Sequence, residues 1–296
     1  MFIKYNPNED FGYYHLPYIT NLNEEKIIFG LSNLQLNQGW NSIWLNLKST
    51  YNIKFLETNG VFFSDIIFYI FISLIFYQIF FKKINKKKSI FIFFFSLFFL
   101  MFLNLKFSRL NSYGLDVPSN FLLVYIFILF FLCLDSKIIY KNKFFVFEFL
   151  ILFCTYSAAF RIINIVSFIL PLIILIKFKF SFKQILSSKV ILISLVFFSL
   201  FQIQQAIYTG CFLFPNIFTC LENLSWFDLN IIENFNTDTS KVNKSFQTYE
   251  GMLTREEYLK SFNWVNNWFI RNKIEIIEHV ATFIFPLLIY ILFLKF

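Results

Sequence analysis

The chain has 296 residues, of which 57% are hydrophobic and 15% are charged, and its net charge is +8. Soluble domains carry about 25% charged residues, so this composition excludes an ordinary soluble protein and predicts an all-α, polytopic integral membrane protein. The lysines cluster in short loops between apolar runs, which indicates membrane topology and not nucleic-acid binding.

The first segment, residues 1–60, is polar and aromatic and precedes any apolar run. Its carboxylate at Asp10 is a candidate general base for a hydroxyl acceptor, with a solvated loop acid as the alternative. His15 is either a second site residue or a side chain that packs on tyrosine rings. The stretch "NSIWLNLKSTYNIKFL" predicts an amphipathic helix at the membrane interface, with Trp40 and Trp44 at headgroup level.

Seven apolar runs approach the span requirement of about 20 residues, with about 17 as the lower limit. The predicted transmembrane helices cover residues 61–81, 89–105, 119–135, 144–160, 162–177, 189–208 and 276–294. The stretch 144–177 is too long for one helix. We predict a tight turn at "SAAFRIIN", because Arg161 would otherwise lie in the middle of the membrane.

The orientation follows from lysine-rich loops, which favour the cytoplasmic side. These loops are residues 82–88, 136–143 and 177–189. The other side then receives two periplasmic loops, 1–60 and 209–275, around helices one to six within 61–208 and a last helix in 276–296. A second amphipathic helix is predicted in 255–274. Since sixty polar residues would cross the membrane before any span, we expect a fragment that lacks an N-terminal transmembrane helix.

Two charged residues at predicted span ends are candidates for the outer-face site. Asp116, two residues before Pro118, predicts a capped helix start or a second acid that lines an outward cavity. Arg161 could bind a phosphate or pyrophosphate in bidentate fashion. The alternative for Arg161 is an ion pair with Asp65 or Asp116.

Amides and cysteines follow at the end of the sixth span. Gln202, Gln204 and Gln205 indicate either a polar cavity wall or a helix end that leaves the membrane. Cys211 and Cys220 are nine residues apart, and on the periplasmic side they would form a disulfide, with two free thiols as the alternative.

Several short motifs, in chain order, resemble those of a group of poorly characterised bacterial multi-span proteins placed with the GT-C superfamily of membrane glycosyltransferases. The later motifs are "SYGLDVPSNFLLV", "AAFRIINIVSFILPLIIL" and "YTGCFLFPNIFTCLENLSW". Those of the first outer loop are Asp10, Tyr14-His15, Gly30-Leu31-Ser32-Asn33-Leu34 and Asn41-Ser42-Ile43-Trp44.

The resemblance implies a GT-C-like fold in the bacterial inner membrane and an enzyme that uses a polyprenyl-phosphate-linked sugar on the periplasmic face. Asp10 would be the catalytic base or a contact to a divalent cation, with His15 beside it. Arg161 would hold the donor phosphate. Tyr14, Asp116 and Gln205 would contact substrate, and the acceptor would be a cell-envelope glycan or lipid.

Three other functions remain open at this point. A polymerase or ligase of lipid-linked oligosaccharide would use the same face with a longer donor. A transporter or flippase predicts ionisable residues at mid-bilayer and symmetric halves, and the sequence shows neither. A non-catalytic membrane subunit would leave the acids idle.

Overall fold

The computed structural model describes residues 11–25, 27–52, 57–84, 115–134 and 140–294. Every regular element in these ranges is helical, and one isolated β-bridge joins Cys211 and Cys220. The all-α prediction is therefore confirmed for the part of the chain that the structure describes.

Twelve α-helices lie in the described ranges: α1 (Leu16–Glu24), α2 (Leu31–Leu34), α3 (Ile43–Thr50), α4 (Phe63–Ile84), α5 (Asp116–Leu134), α6 (Tyr140–Phe160), α7 (Ile169–Phe178), α8 (Phe182–Ser187), α9 (Lys189–Thr209), α10 (Leu229–Asn243), α11 (Arg255–Leu259) and α12 (Val265–Leu294). A π-helical turn, Phe11–His15, precedes α1. Short 3-10 segments are Leu36–Gly39, Glu57–Phe62, Ile162–Phe168, Ile217–Thr219 and Phe246–Thr248.

Three helical stretches are long and apolar enough to cross a membrane: Gly60–Gln78, Asn142–Phe160 and Lys189–Thr209. Two shorter apolar stretches are Pro118–Leu134 and Ile162–Phe178. Helix α9 leaves a row of large apolar side chains uncovered, Leu192, Ile193, Leu195, Val196, Leu200 and Ile203. Such a surface suits lipid better than water. The predicted run 89–105 lies outside the described residues, so the count of seven spans stays a prediction.

The predicted turn at Arg161 is present. Helix α6 ends at Phe160, and Arg161 has an extended backbone with φ −145° and ψ 116°. The amide Nδ2 of Asn164 then donates to Ser119 Oγ at 2.6 Å and to Ser157 Oγ at 2.9 Å. These bonds tie the break to α5 and α6, because each satisfies a polar group that would otherwise be buried alone.

The chain divides into two compact units, one from Met1–Ile75 and Leu103–Phe227 and one from Phe76–Phe102 and Asp228–Phe296. Two hydrophobic cores lie among the described residues of the first unit. One lies among α5, α6, α7 and α9 and includes Ile126, Leu150 and Ile174. The other joins the N-terminal segment to Phe62 and Tyr208. Burial of such side chains is the main favourable term in the packing of each core.

The N-terminal segment is fastened to the end of α9. The backbone N–H of Gly30 donates to the carbonyl of Ile207 at 3.0 Å, and Ser32 Oγ donates to the carbonyl of Tyr208 at 3.2 Å. Gly30 has φ +68°, a left-handed conformation that glycine adopts without steric cost. Residues far apart in the chain therefore form one folded body within the first unit.

The second unit corrects the prediction of a single amphipathic helix over 255–274. Helix α11 ends at Leu259, and α12 begins at Val265 and continues through the predicted span 276–294. Lys244 caps the end of α11, because its Nζ donates to the carbonyl of Leu259 at 3.0 Å. Ser261 then turns the chain with φ +53°.

Candidate functional site

An apolar cavity of about 200 Å³ lies between α3, α4, α5 and α6 in the first unit. Aromatic and aliphatic side chains line it: Trp44, Leu47, Tyr51, Ile67, Phe68, Phe71, Ile72, Ile75, Leu122, Tyr125, Phe153, Tyr156 and Phe160, together with Ser64. We call this space the aromatic groove. Apolar concave sites with few polar groups are typical of ligand sites for hydrocarbon chains.

A buried ion pair lies beside the groove. Lys48 Nζ on α3 is 2.8 Å from Asp65 Oδ2 in the first turn of α4, and the side chains are 1% and 0% exposed. Charges held this far from water are costly unless they are paired. Each partner therefore requires the other, and the pair fixes α3 on the start of α4.

Trp44 separates the ion pair from the groove and corrects the prediction that it lies at the lipid headgroups. Its indole is 3% exposed, stacks on Phe160 with ring centroids 5.2 Å apart, and meets Phe68 edge-on at 5.3 Å. Lys48 Nζ lies 5.9 Å from its ring centroid. Helix α3 is therefore packed against other helices, because Trp44 contacts Phe68 and Phe160 and Lys48 pairs with Asp65.

A network of uncharged polar groups lies near the same end of the first unit. Tyr18 Oη donates to Asn41 Oδ1 at 2.8 Å and to Asn46 Oδ1 at 3.2 Å. Gln204 Oε1 accepts from Asn46 Nδ2 at 3.0 Å and from Asn41 Nδ2 at 3.3 Å. Gln204 Nε2 then donates to Tyr208 Oη at 2.9 Å. Burial raises the pKa of Tyr18 well above its ordinary value. The phenol therefore stays protonated and remains a hydrogen-bond donor.

Three of the predicted site residues, Asp10, Tyr14 and His15, belong to the N-terminal segment. Asp10 lies outside the described residues. His15 is buried, and its ring contacts that of Tyr14 with centroids 4.2 Å apart. Burial and then the positive charge of Lys48 lower the pKa of His15 to about 3. An imidazole with so low a pKa is a weak base at physiological pH and suits hydrogen bonding better than proton transfer.

Arg161 and Asp116 stand at helix termini. Arg161 is exposed at the break after α6, and Asp116 is the first residue of α5, with a side chain outside the described part. Asp65 pairs with Lys48, so the predicted alternative of an Arg161–Asp65 ion pair is wrong.

Gln205 and the cysteines complete the predicted set. Gln205 is buried, and its Nε2 donates to the carbonyl of Gly39 at 2.8 Å, which ties α9 to the N-terminal segment. Cys211 and Cys220 form a disulfide with an S–S distance of 2.03 Å. Within the described ranges, no group of three or more His, Cys, Asp or Glu side chains is arranged to hold a metal ion.

Lys48 was missed from the sequence, and Gln204, which was named with Gln202 and Gln205 as a possible cavity wall, was not among the predicted substrate contacts. Lys48 follows Trp44 at i+4 and therefore shares its buried face. An acid in the first turn of an apolar span, here Asp65, is the signal that a basic partner is needed. Gln204 was grouped with Gln205, but adjacent residues on a helix point in different directions.

One family comparison found a match. A family model described as a domain of unknown function, DUF8201, matches residues 4–296. Searches of curated proteins and of solved structures found no match. Because the model covers nearly the whole chain, the protein belongs to the DUF8201 family.

Proposed function

We propose that the protein is a membrane-embedded glycosyltransferase. It moves a sugar from a polyprenyl-phosphate-linked donor to a cell-envelope glycan or lipid acceptor on the outer face of the bacterial inner membrane. The motif resemblance to GT-C enzymes supports the reaction class, and this is an argument by analogy.

The aromatic groove is the structural observation that supports a lipid-linked substrate. It is bounded by two stretches that are apolar enough to lie in a membrane, Gly60–Gln78 and Asn142–Phe160, and by α3 and α5. Its lining offers extensive apolar contact and few hydrogen-bonding groups, which suits a hydrocarbon chain and disfavours a free sugar. The proposal therefore assigns the groove to the isoprenoid chain of the donor.

The proposed chemistry is a direct displacement at the anomeric carbon. The acceptor oxygen forms a bond to that carbon while the bond to the donor phosphate oxygen breaks, and polyprenyl phosphate leaves. Asp10 takes the acceptor proton, and Arg161 at the exposed end of α6 pairs with the phosphate. A hydrogen-bonded guanidinium stabilises the negative charge that grows on the leaving group.

The test uses the full chain in its native membrane. Changing Asp10 to Asn removes the base with little change in size, and we expect cell-envelope polysaccharide to fall at least 100-fold, since general bases contribute about 10²–10⁴-fold. The measurements are the polysaccharide made by a deletion strain that carries each variant and the amount of protein in the membrane. Glu9→Gln, which changes the neighbouring acid, is the matched control. Normal polysaccharide in the Asp10→Asn strain at equal protein would rule out this assignment.

A further inference from the structure

The connection between α7 and α9, residues 177–189, is too short to leave the membrane surface. Helix α7 belongs to the apolar stretch Ile162–Phe178, and α9 is the apolar stretch Lys189–Thr209. Three residues link α7 to α8, Phe182–Ser187, and Ser188 alone links α8 to α9. Three extended residues reach about 10 Å at most. With α7 and α9 in the membrane, α8 therefore lies at the level of the lipid headgroups. We call residues 177–189 the basic turn.

Phenylalanines alternate with lysines at the start of the basic turn, and two of the phenylalanines hold it against the first unit. Phe180 is buried, and its ring centroid lies 5.0 Å from that of Phe147 and 5.2 Å from that of Phe144. Phe178 packs on the same core, with Lys143 Nζ 4.3 Å from its ring centroid. Helix α8 therefore projects from a fixed position on the folded unit.

Helix α8 leaves its apolar side chains uncovered. Phe182 is 74% exposed and Leu186 is 64% exposed, and no residue of α8 is buried. The two side chains are four positions apart, so they lie on one face of the helix. Ser181 and Gln184 form a capping box that closes the first turn. This apolar face is unfavourable in water and favourable against acyl chains, which remove its area from water.

The charged side chains of the basic turn are all positive. Four exposed lysines lie in it, and its sequence has no Asp or Glu: Lys177, Lys179, Lys183 and Lys189. The carboxylate of Glu148 on α6 accepts a hydrogen bond from Ser188 Oγ and balances only one of these charges. Each lysine near an anionic membrane surface strengthens binding by about fivefold. The turn therefore complements a surface of negative phosphates.

The combination of charge and exposed apolar area favours lipid over an acidic protein or a nucleic acid. An acidic macromolecule would meet the lysines, but it would leave Phe182 and Leu186 in contact with water. Helices with an apolar face and flanking lysines lie in the interface of anionic membranes, where the apolar face reaches the acyl boundary. Lysine stems are long enough to keep the ammonium groups among the phosphates at the same time.

We propose that the basic turn binds the phosphate headgroups of anionic phospholipids, with Phe182 and Leu186 of α8 inserted at the boundary of the acyl chains. The residues that line the aromatic groove all lie outside this turn. Binding of phospholipid here needs no sugar transfer, and it holds the ends of α7 and α9 at the membrane surface.

Amide hydrogen exchange of the full-length protein in lipid nanodiscs tests this surface. One preparation contains phosphatidylcholine alone, and in the other about one third of the lipid is phosphatidylglycerol. We expect the amides of residues 182–189 to exchange at least about fivefold more slowly with phosphatidylglycerol, the contribution of one lysine. Mass spectrometry of peptic peptides measures the rates. Added salt should reduce the difference, because it screens the attraction between lysine and phosphate.

Two double variants separate the role of charge from general effects on the fold. Lys179→Gln with Lys183→Gln removes half of the charge of the basic turn, and we expect the difference between the two lipids to fall below about twofold. Lys260→Gln with Lys273→Gln removes the same charge from two exposed lysines of the second unit and should keep the full difference. Equal melting temperatures in detergent show that both variants are folded.

A third double variant tests the apolar face. Phe182→Gln with Leu186→Gln keeps the lysines and a residue type that favours helix, but it removes the side chains that would enter the acyl boundary. We expect residues 182–189 of this variant to exchange faster than those of the native protein in both kinds of nanodisc.

Equal exchange of the native protein in the two lipids would overturn the proposal. A difference that persists in Lys179→Gln with Lys183→Gln, or native rates in Phe182→Gln with Leu186→Gln, would overturn it as well. Slow exchange that depends on protein concentration in detergent and is the same in both lipids would instead assign this surface to a second copy of the chain.

Discussion

At the scale of residues, the buried Lys48–Asp65 pair is a feature to which the stability of the first unit is sensitive. Both side chains are inaccessible to water, and breaking one buried pair typically costs about 3–5 kcal/mol because the other charge is stranded. The sequence suggested Asp65 only as an alternative partner of Arg161. It could not identify Lys48, because the two residues are 17 positions apart and meet only when α3 packs on α4.

We expect the buried His15 to make the stability of the fold sensitive to acid. Its pKa falls from 6.5 to about 3 on folding, so the folded state favours the neutral imidazole. The stability is fully present above pH 6.5 and is lost as the pH falls toward 3, because only the unfolded chain then takes up the proton. At pH 5 the loss is about 2 kcal/mol, from about 1.36 kcal/mol for each pH unit below 6.5.

The measurement is the melting temperature in detergent from pH 8 to pH 5. The His15→Gln variant should lose much less stability over this interval than the native protein. His279→Gln, which removes the second of the two histidines, is the control. The same pH dependence in native protein and His15→Gln would show that another group titrates.

At the scale of elements, the N-terminal segment comes very close to the loop after α9 at Gly39. A Cβ added at Gly39 would lie 2.7 Å from the ring of Phe214. Phe214 is buried within the loop that the Cys211–Cys220 disulfide closes. No side chain fits at position 39 unless this ring moves.

Gly39→Ala should therefore destabilise the first unit by roughly 1–3 kcal/mol, the usual cost of overpacking. Gly12→Ala is the matched control, since a Cβ there meets nothing within 4 Å. Thermal unfolding of both variants in the same detergent measures the difference. An Ala at position 39 that unfolds at the native temperature would contradict the tight contact.

The apolar runs predicted several helices well, because a long apolar segment is buried in lipid or in protein and forms a helix there. Helices α6 and α9, Tyr140–Phe160 and Lys189–Thr209, lie on predicted spans, and the break at Arg161 follows from the cost of its charge. The break after Leu259 was missed because Lys244, from a distant turn, supplies the capping bond. Trp44 was misplaced because an amphipathic pattern does not reveal whether protein or lipid covers its apolar face.

At the scale of the whole molecule, the sequence predicts which side of the membrane each loop faces. Lysine counts predict that residues 82–88 lie in the cytoplasm and that residues 209–275 lie outside. The structure shows helices that are long and apolar enough to span a membrane. Helix length does not determine which end faces the cytoplasm.

A reporter fused after Lys88 should be active in the cytoplasm, and one fused after Ser225 should be active in the periplasm. Paired alkaline phosphatase and fluorescent protein fusions at each position give opposite readings for the two sides. The reversed pattern would remove the proposed outer-face site. The same fusions in a Cys211→Ser variant control for effects of the disulfide on insertion.

The covalent closure of the loop over residues 211–220 also makes the fold conditional on its surroundings. A disulfide persists where the cell does not reduce it, and this one closes the loop that carries Phe214 to its contact with Gly39. If residues 209–275 face the periplasm as predicted, a chain inserted in the opposite orientation would keep both thiols reduced and would lose that restraint. The loop would then open and become a substrate for cytoplasmic proteases. Only chains inserted in the predicted orientation would then keep the disulfide and resist degradation.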